Sequence, residues 1–299
     1  MQPKRFDLSI PIFLGLMVLI NVAHATSSTK TVTVLAAGDI AQCKSEGAAL
    51  TAQLIETIPN SVVLAAGDLA YGKGKPEEFE KCYDPTWGKF KSRTLPAPGN
   101  HEYLTRDAKG YFDYFGKAAG DRDKGYYSKQ VGSWHIIALN SSIDAGPDSP
   151  QIKWLKKDLS RNKAQCILAF WHHPRFSSGP HSDYLDMTAA WDTLYKFDAS
   201  IVITGHDHDY ERFAPLDANG KVDFYHGIRS FVVGTGGARL YDIGLRNNAS
   251  EVWNGSTWGV LKLTLHRSSY DWEFLPVKGG SFHDKGTEGC VPRRISTKY

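Results

Sequence analysis

Apolar positions in this chain gather into short runs, and the stretches between them carry apolar residues at a helical period. Thr31–Ala37, Val62–Ala66, Trp134–Leu139, Cys166–Trp171 and Ser200–Thr204 are too short for buried helices and apolar almost throughout. That is the composition of strands buried on both faces of a parallel sheet. Ser45–Ile58, Pro150–Ser160 and Thr188–Phe197 read as helices between them. Strands alternating with helices predict an α/β fold. The last third changes character. "IRSFVVGTGG" (Ile228–Gly237), "WGVLKLTLH" (Trp258–His266) and "SYDWEFLPV" (Ser269–Val277) follow one another with little helix between them, which predicts consecutive antiparallel strands in a second sheet. "GLRNNASEVWNGSTWG" (Gly244–Gly259) reads as a loop, and the polar, Gly-rich stretch 277–299 as a tail over the surface. With no linker in view, residues 30–276 are expected to form one domain.

Two of the runs share an ending. "VLAAGDIA" (Val34–Ala41) and "VLAAGDLA" (Val63–Ala70) each stop at Gly-Asp. Glycine permits a sharp turn where a Cβ would clash, and the aspartate is the first group clear of the strand's carboxyl end. Ligands of open α/β sheets sit at that edge. The pair of octets is thus expected to deliver Asp39 and Asp68 to one rim, although either copy alone would be ordinary turn chemistry.

Composition narrows the picture. A chain of 299 residues, 41% hydrophobic and 22% charged, is long enough for one large core or at most two domains. Lys+Arg at 35 against Asp+Glu at 32, a net charge of +3 with no long basic run, gives no footprint for nucleic acid. Lys4 and Arg5 precede the apolar "LSIPIFLGLMVLI" (Leu8–Ile20) and an A-x-A site at Ala23–Ala25. This is the pattern of a secretory signal peptide over residues 1–25, cleaved after Ala25, and it predicts a secreted or periplasmic protein. The apolar run is short for a membrane span, and no later stretch is long and apolar enough for one. Four cysteines suit an exported protein and allow three pairings. Cys43 and Cys82 both follow Gly-Asp turns and are the expected pair, whereas burial alone would account for Cys166. Asn140, Asn248 and Asn254 begin N-x-S sequons.

Candidate chemistry lies at the ends of the apolar runs. They end in Asp39; in Asp68 with Tyr71; in Asn100 and His101 ("LPAPGNHE"); in His172 and His173 ("ILAFWHHP"); and in His206 and His208 ("IVITGHDH"). A lone histidine is ordinarily structural, but successive run ends that all offer metal-capable side chains point to one site. His206 and His208, two apart on an extended segment, face the same way. That suits one histidine for each of two adjacent cations, which need a bridging anion.

The set Gly-Asp (Asp39), GDxxY (Asp68, Tyr71), GNHE (Asn100–Glu102), His-x-Pro (His172) and GHxH (Gly205–His208) resembles the calcineurin-like metallophosphoesterases. Within them it looks most like the purple acid phosphatases, whose GHxHxYER is matched by "GHDHDYER" (Gly205–Arg212). The resemblance implies a four-layer α/β/β/α sandwich. It makes Asp39, Tyr71 and His208 ligands of a first metal, Asp68 the bridge, and Asn100, His172 and His206 ligands of a second. It gives His101 and His181 places beside the phosphate, as candidates to protonate the leaving alkoxide. Two carboxylates and a tyrosinate suit a trivalent ion, and neutral N/O ligands a divalent one. The expectation is therefore Fe(III) at the first site with Zn(II), Mn(II) or Fe(II) at the second. The chain departs from the pattern at Ala41, where a glycine is usual, and the resemblance includes no N-terminal β-sandwich domain of the large plant enzymes.

The implied activity is hydrolysis of small phosphomonoesters by metal-activated hydroxide, with no nucleic acid partner and no stable membrane span. A phosphodiesterase acting on nucleotides or lipid head groups is the alternative, and a non-catalytic metal or phosphate binder the third. "GTGG" (Gly234–Gly237), Arg175 and Arg212 sit near the motifs without an assigned role.

Overall fold

The computed structural model describes residues 1–2, 31–242 and 244–294. The expected leader, with its apolar run Leu8–Ile20, lies outside the described residues. In chain order the strands begin β1 (Val32–Ala37), β2 (Ala41–Gln42), β3 (Val62–Ala66), β4 (Ala70–Tyr71), β5 (Thr94–Ala97), β6 (Tyr127–Val131) and β7 (Trp134–Ala138). They continue β8 (Cys166–Phe170), β9 (Ile201–Thr204), β10 (Tyr210–Phe213), β11 (Arg229–Val233), β12 (Ser250–Asn254), β13 (Gly259–Leu265), β14 (Ser269–Pro276) and β15 (Lys285–Gly289). One sheet has six strands in the order β15-β14-β13-β1-β3-β5, and the other seven in the order β12-β10-β11-β9-β8-β7-β6.

The twin octets are neighbours. β1 and β3 pair in parallel, and their continuations β2 and β4 pair again, Ala41 opposite Ala70. Period-two burial sorts the second sheet's side chains into two cores. Trp134, Ile136, Leu168, Phe170, Ile201, Ile203, Phe231 and Val233 join the first sheet's residues in the core between the sheets. Ile137, Ile167, Ala169, Val202 and Val232 face outward. There they meet Ile152, Leu155 and Leu159 of the helix Pro150–Arg161 and Trp191 and Leu194 of the helix Thr188–Lys196. The helix Gly47–Glu56 supplies Ala48, Ala52 and Ile55 to the core on the first sheet's side. The result is an α/β sandwich of two packed sheets with helices outside them, as the resemblance implied.

The carboxyl-terminal third corrects the sequence reading. β11 runs parallel to β9 in the seven-stranded sheet, whereas β13 closes the free edge of β1 in the other. The late strands therefore do not form a sheet of their own. An apolar run carries no record of its partner, and β11, buried at every position, is an interior strand. The stretch Gly244–Gly259 contains β12, an edge strand whose alternating exposure accounts for its polar residues. The stretch expected to be a tail adds β15 to the sheet edge and ties down its end through a Cys166–Cys290 disulfide. Cys166 is thus bonded rather than merely buried, and Cys43 pairs with Cys82 as expected. No helix among the described residues is long and apolar enough to cross a membrane.

Candidate metal centre

Parallel strands of both sheets end on one rim. Asp39 follows β1, Asp68 follows β3, Asn100 follows β5, His172 follows β8, and His206 and His208 follow β9. Tyr71 is on β4. Close approach explains the glycines before these residues: a Cβ at Gly205 would strike the Asp39 carboxylate across the two sheets, and one at Gly99 the Asp68 carboxylate at the end of the neighbouring strand β3. Asp39, Asp68 and His206 adopt left-handed backbone, with φ of 58°, 50° and 73°. Non-glycine residues accept that strain chiefly at functional sites.

The side chains meet in two groups. The Tyr71 hydroxyl donates to Asp39 Oδ1 at 2.8 Å and lies 3.0 Å from His208 Nε2, with Asp39 Oδ1 and His208 Nε2 3.3 Å apart. His172 Nε2 lies 3.0 Å from Asn100 Oδ1 and 3.2 Å from both His206 Nδ1 and Asp68 Oδ2. The Asp68 carboxylate is shared, since the Tyr71 hydroxyl stands 3.3 Å from the same Oδ2. Backbone carbonyls orient the rings: Ala66 O holds His172 Nδ1 at 3.0 Å and Arg239 O holds His208 Nδ1 at 2.8 Å. Each ring's Nε2 is thereby turned toward the site.

These donors fit cations. Asp39 and Asp68 are buried, and no lysine or arginine pairs with either among the described residues. Buried carboxylates need a counter-charge. In the metal-free protein a proton on His172 serves: burial opposes that charge, but Asp68 and Asp39 raise the imidazole to about 9. Burial favours neutral Asp68, yet His172 and His101 hold its carboxyl well below the usual range. Burial, then Asp39 and Asp68, push the Tyr71 phenol well above its usual range. Only a strongly charged cation beside it would draw out the phenolate. Metal binding at such a site releases protons.

His101 and His181 flank the two groups. The His101 amide donates to Asp68 Oδ1 at 2.9 Å, and its ring packs 4.4 Å from that of Tyr71. The His181 ring lies 4.3 Å from His206, and its amide donates to Asp207 Oδ1 at 3.0 Å. The looser of the two sequence matches thus arrives at the site as well.

Sequence reasoning gave no role to several neighbours. Glu102 is wholly buried and accepts backbone N–H bonds from Asp68 (2.9 Å), Leu69 (2.8 Å), Ala70 (3.2 Å) and Gly99 (2.8 Å). It clamps the Asp68 turn to the Asn100 turn. Its place in GNHE was the available signal. Glu102→Ala would strand these buried donors, and denaturant unfolding should show a loss of at least about 3 kcal/mol. An unchanged midpoint would contradict the clamp. Tyr241 stacks 4.7 Å from His208 and donates to His206 O at 3.0 Å. The GTGG segment supports the Asp39 turn from beneath: Gly236 N donates to Gly38 O and Ala238 N to Asp39 O. Asp209 is buried with both side-chain oxygens unpartnered among the described residues; burial, then Asp207 and Glu211, push its carboxyl well above the usual range. Arg212 is held by Asp284 and Glu251 and Arg175 lies near Asp183, so neither needs the site to explain it. Asn140 is buried, its amide donating to the Tyr103 hydroxyl, and does not offer its sequon to solvent.

Residues 32–210 match the family described as calcineurin-like phosphoesterase. That is more than half of the chain, and the chain belongs to this family. Among curated relatives it is similar to the Fe(3+)-Zn(2+) purple acid phosphatase 12 of Arabidopsis thaliana, 29% identical over 200 residues, 58% of this chain and 42% of that one. A nucleotide pyrophosphatase/phosphodiesterase of Hordeum vulgare is 26% identical over 281 residues, 79% of this chain and 74% of the other. In fold the chain resembles a purple acid phosphatase from yellow lupin seeds, with a TM-score of 0.69 and 20% identity over 87% of this chain and 54% of that one. It spans about two fifths of the length of the Arabidopsis relative.

Proposed function

We propose that this chain is a binuclear-metal phosphatase that hydrolyses phosphomonoesters. The observation that carries the proposal is the convergence of two donor groups on a shared Asp68. Asp39, Tyr71 and His208 would hold the first cation, and Asn100, His172 and His206 the second. The harder, anionic first group favours Fe(III), and the neutral second group Zn(II), Mn(II) or Fe(II). The name of the Arabidopsis relative, which specifies iron and zinc, agrees with that choice. Two cations at such a site supply Lewis-acid charge for the phosphoryl oxygens and a nucleophile from water near neutral pH. The protein's own groups do the rest. Left-handed turns at Asp39, Asp68 and His206 aim the donors before substrate arrives. The exposed His181 and the half-buried His101 stand beside the groups to give a proton to the departing alkoxide oxygen.

The barley relative, matched over most of both chains, supports the second reading, a phosphodiesterase. Phosphate release from p-nitrophenyl phosphate and nitrophenol release from bis(p-nitrophenyl) phosphate separate the two, each with and without chelator. The proposal expects faster turnover of the monoester and loss of both activities on chelation. A faster bis-ester would favour the diesterase, and turnover of neither would leave a binding protein. We also propose export after cleavage at Ala25, which the two disulfides support. N-terminal sequencing of the native protein should begin near Thr26; a native protein that starts at Met1 would refute cleavage.

A further inference from the structure

His181 stands on the connection between β8 and the helix Thr188–Lys196, in a loop closed at its neck by a bond from Tyr184 N to Pro174 O. Ser177, Ser178 and Gly179 form the buried half of this loop, and Pro180, His181, Ser182 and Asp183 the exposed half. A side chain on an exposed loop is placed only as well as the loop itself is held.

The segment after β9 holds it. His206 and His208 turn into the two donor groups, whereas Asp207, between them, turns to the loop. Asp207 is buried, and among the described residues both of its side-chain bonds run to this loop. Oδ1 accepts the His181 amide at 3.0 Å, and Oδ2 the Ser177 hydroxyl at 2.5 Å. That hydroxyl in turn accepts the Gly179 amide at 2.9 Å. A Cβ on Gly179 would strike the Asp207 carboxylate, so glycine lets the loop lie against it. Glu211, further along the same segment, is also buried and accepts the Ser178 amide at 2.8 Å and hydroxyl at 2.5 Å. Burying a carboxylate is costly unless its hydrogen bonds are made, and at Asp207 they are made to the His181 loop. The His181 ring, 4.3 Å from that of His206, therefore belongs to one braced unit with the ligands on either side of Asp207.

We propose that Asp207 is a positioning residue: it sets where His181 stands beside the second donor group, so that the ring reaches the leaving oxygen of the ester. The inference rests on the phosphatase reading and adds the substrate class that a braced proton donor serves, esters of aliphatic alcohols. When hydroxide bonds to phosphorus, the P–O bond to the alcohol breaks with its electron pair on the alcohol oxygen. A proton from the His181 ring then gives the neutral alcohol, and solvent returns the proton to the ring.

The ratio of kcat/KM for p-nitrophenyl phosphate to that for hexyl phosphate tests this, because nitrophenolate departs without a proton and the hexyl alkoxide does not. A ratio does not depend on the fraction of variant that folds or loads metal. With the metal-loaded full chain, Asp207→Ala should raise the ratio about tenfold. Asp207→Asn keeps an acceptor for the His181 amide without the charge, and its ratio should stay close to the parent's. In a His181→Ala background, Asp207→Ala should raise the ratio no further. Ser177→Ala removes one strut and no charge, and should move the ratio in the same direction even if Asp207→Ala does not fold. An unchanged ratio in the alanine variants, an asparagine variant that matches alanine, or a rise that persists without His181 would overturn the positioning role and leave the phosphatase reading standing. So would a parent enzyme that hydrolyses only the nitrophenyl ester. A parent that hydrolyses neither would overturn both.

Discussion

Replacing Asp68 by alanine should give a protein that holds neither metal and loses on the order of 10³-fold or more in turnover. Asp68 is the group that both donor sets share, with its Oδ2 3.2 Å from His172 Nε2 and 3.3 Å from the Tyr71 hydroxyl. Without it two cations would face each other with no anion between them, and repulsion at that range is large. The same carboxylate accepts the His101 amide, so the loop bearing that histidine loosens as well. Elemental analysis of the purified variant is the measurement. Two ions per chain in Asp68→Ala would refute the bridge.

Tyr71→Phe separates colour from catalysis. A phenolate bound to Fe(III) absorbs visible light by charge transfer, and Zn(II) or Mn(II) with the same ligand does not. The native protein is expected to be coloured and the variant colourless. The phenyl ring keeps the packing against His101, 4.4 Å away, so the fold survives. Turnover should fall less than colour, by about tenfold, because Asp39, Asp68 and His208 still offer a divalent ion two carboxylates and an imidazole. A visible band that persists in Tyr71→Phe would exclude Tyr71 as its source.

Residues 1–25 apart, the site was more legible in the sequence than the fold around it. Parallel strands put every carboxyl end on one rim, so the endings of the apolar runs were enough to assemble Asp39, Asp68, Asn100, His172, His206 and His208. Position along the chain hides which sheet a strand joins. β1 and β13 pair across more than two hundred residues, and nothing in Gly259–Leu265 names that partner. Edge strands were missed for a related reason. β12 and β15 place exposed residues at every second position, so neither has the uniform apolar signature. The role of Glu102 was hidden because its partners at Asp68, Leu69 and Ala70 lie over thirty residues away. A local motif can mark such a residue without saying what it holds. His173 shows the same limit: beside His172 in sequence, it faces Ser141 and Tyr184 rather than Asn100.

Reconstitution of chelated protein tests the central claim most directly. Metal-free enzyme would be titrated with Fe(III) and Zn(II), and phosphate release from p-nitrophenyl phosphate followed against ions bound per chain. The donor groups around Asp68 predict no turnover without metal and a rise that saturates at two ions per chain. Full activity in the metal-free protein, or saturation at one ion, would contradict a two-metal phosphatase.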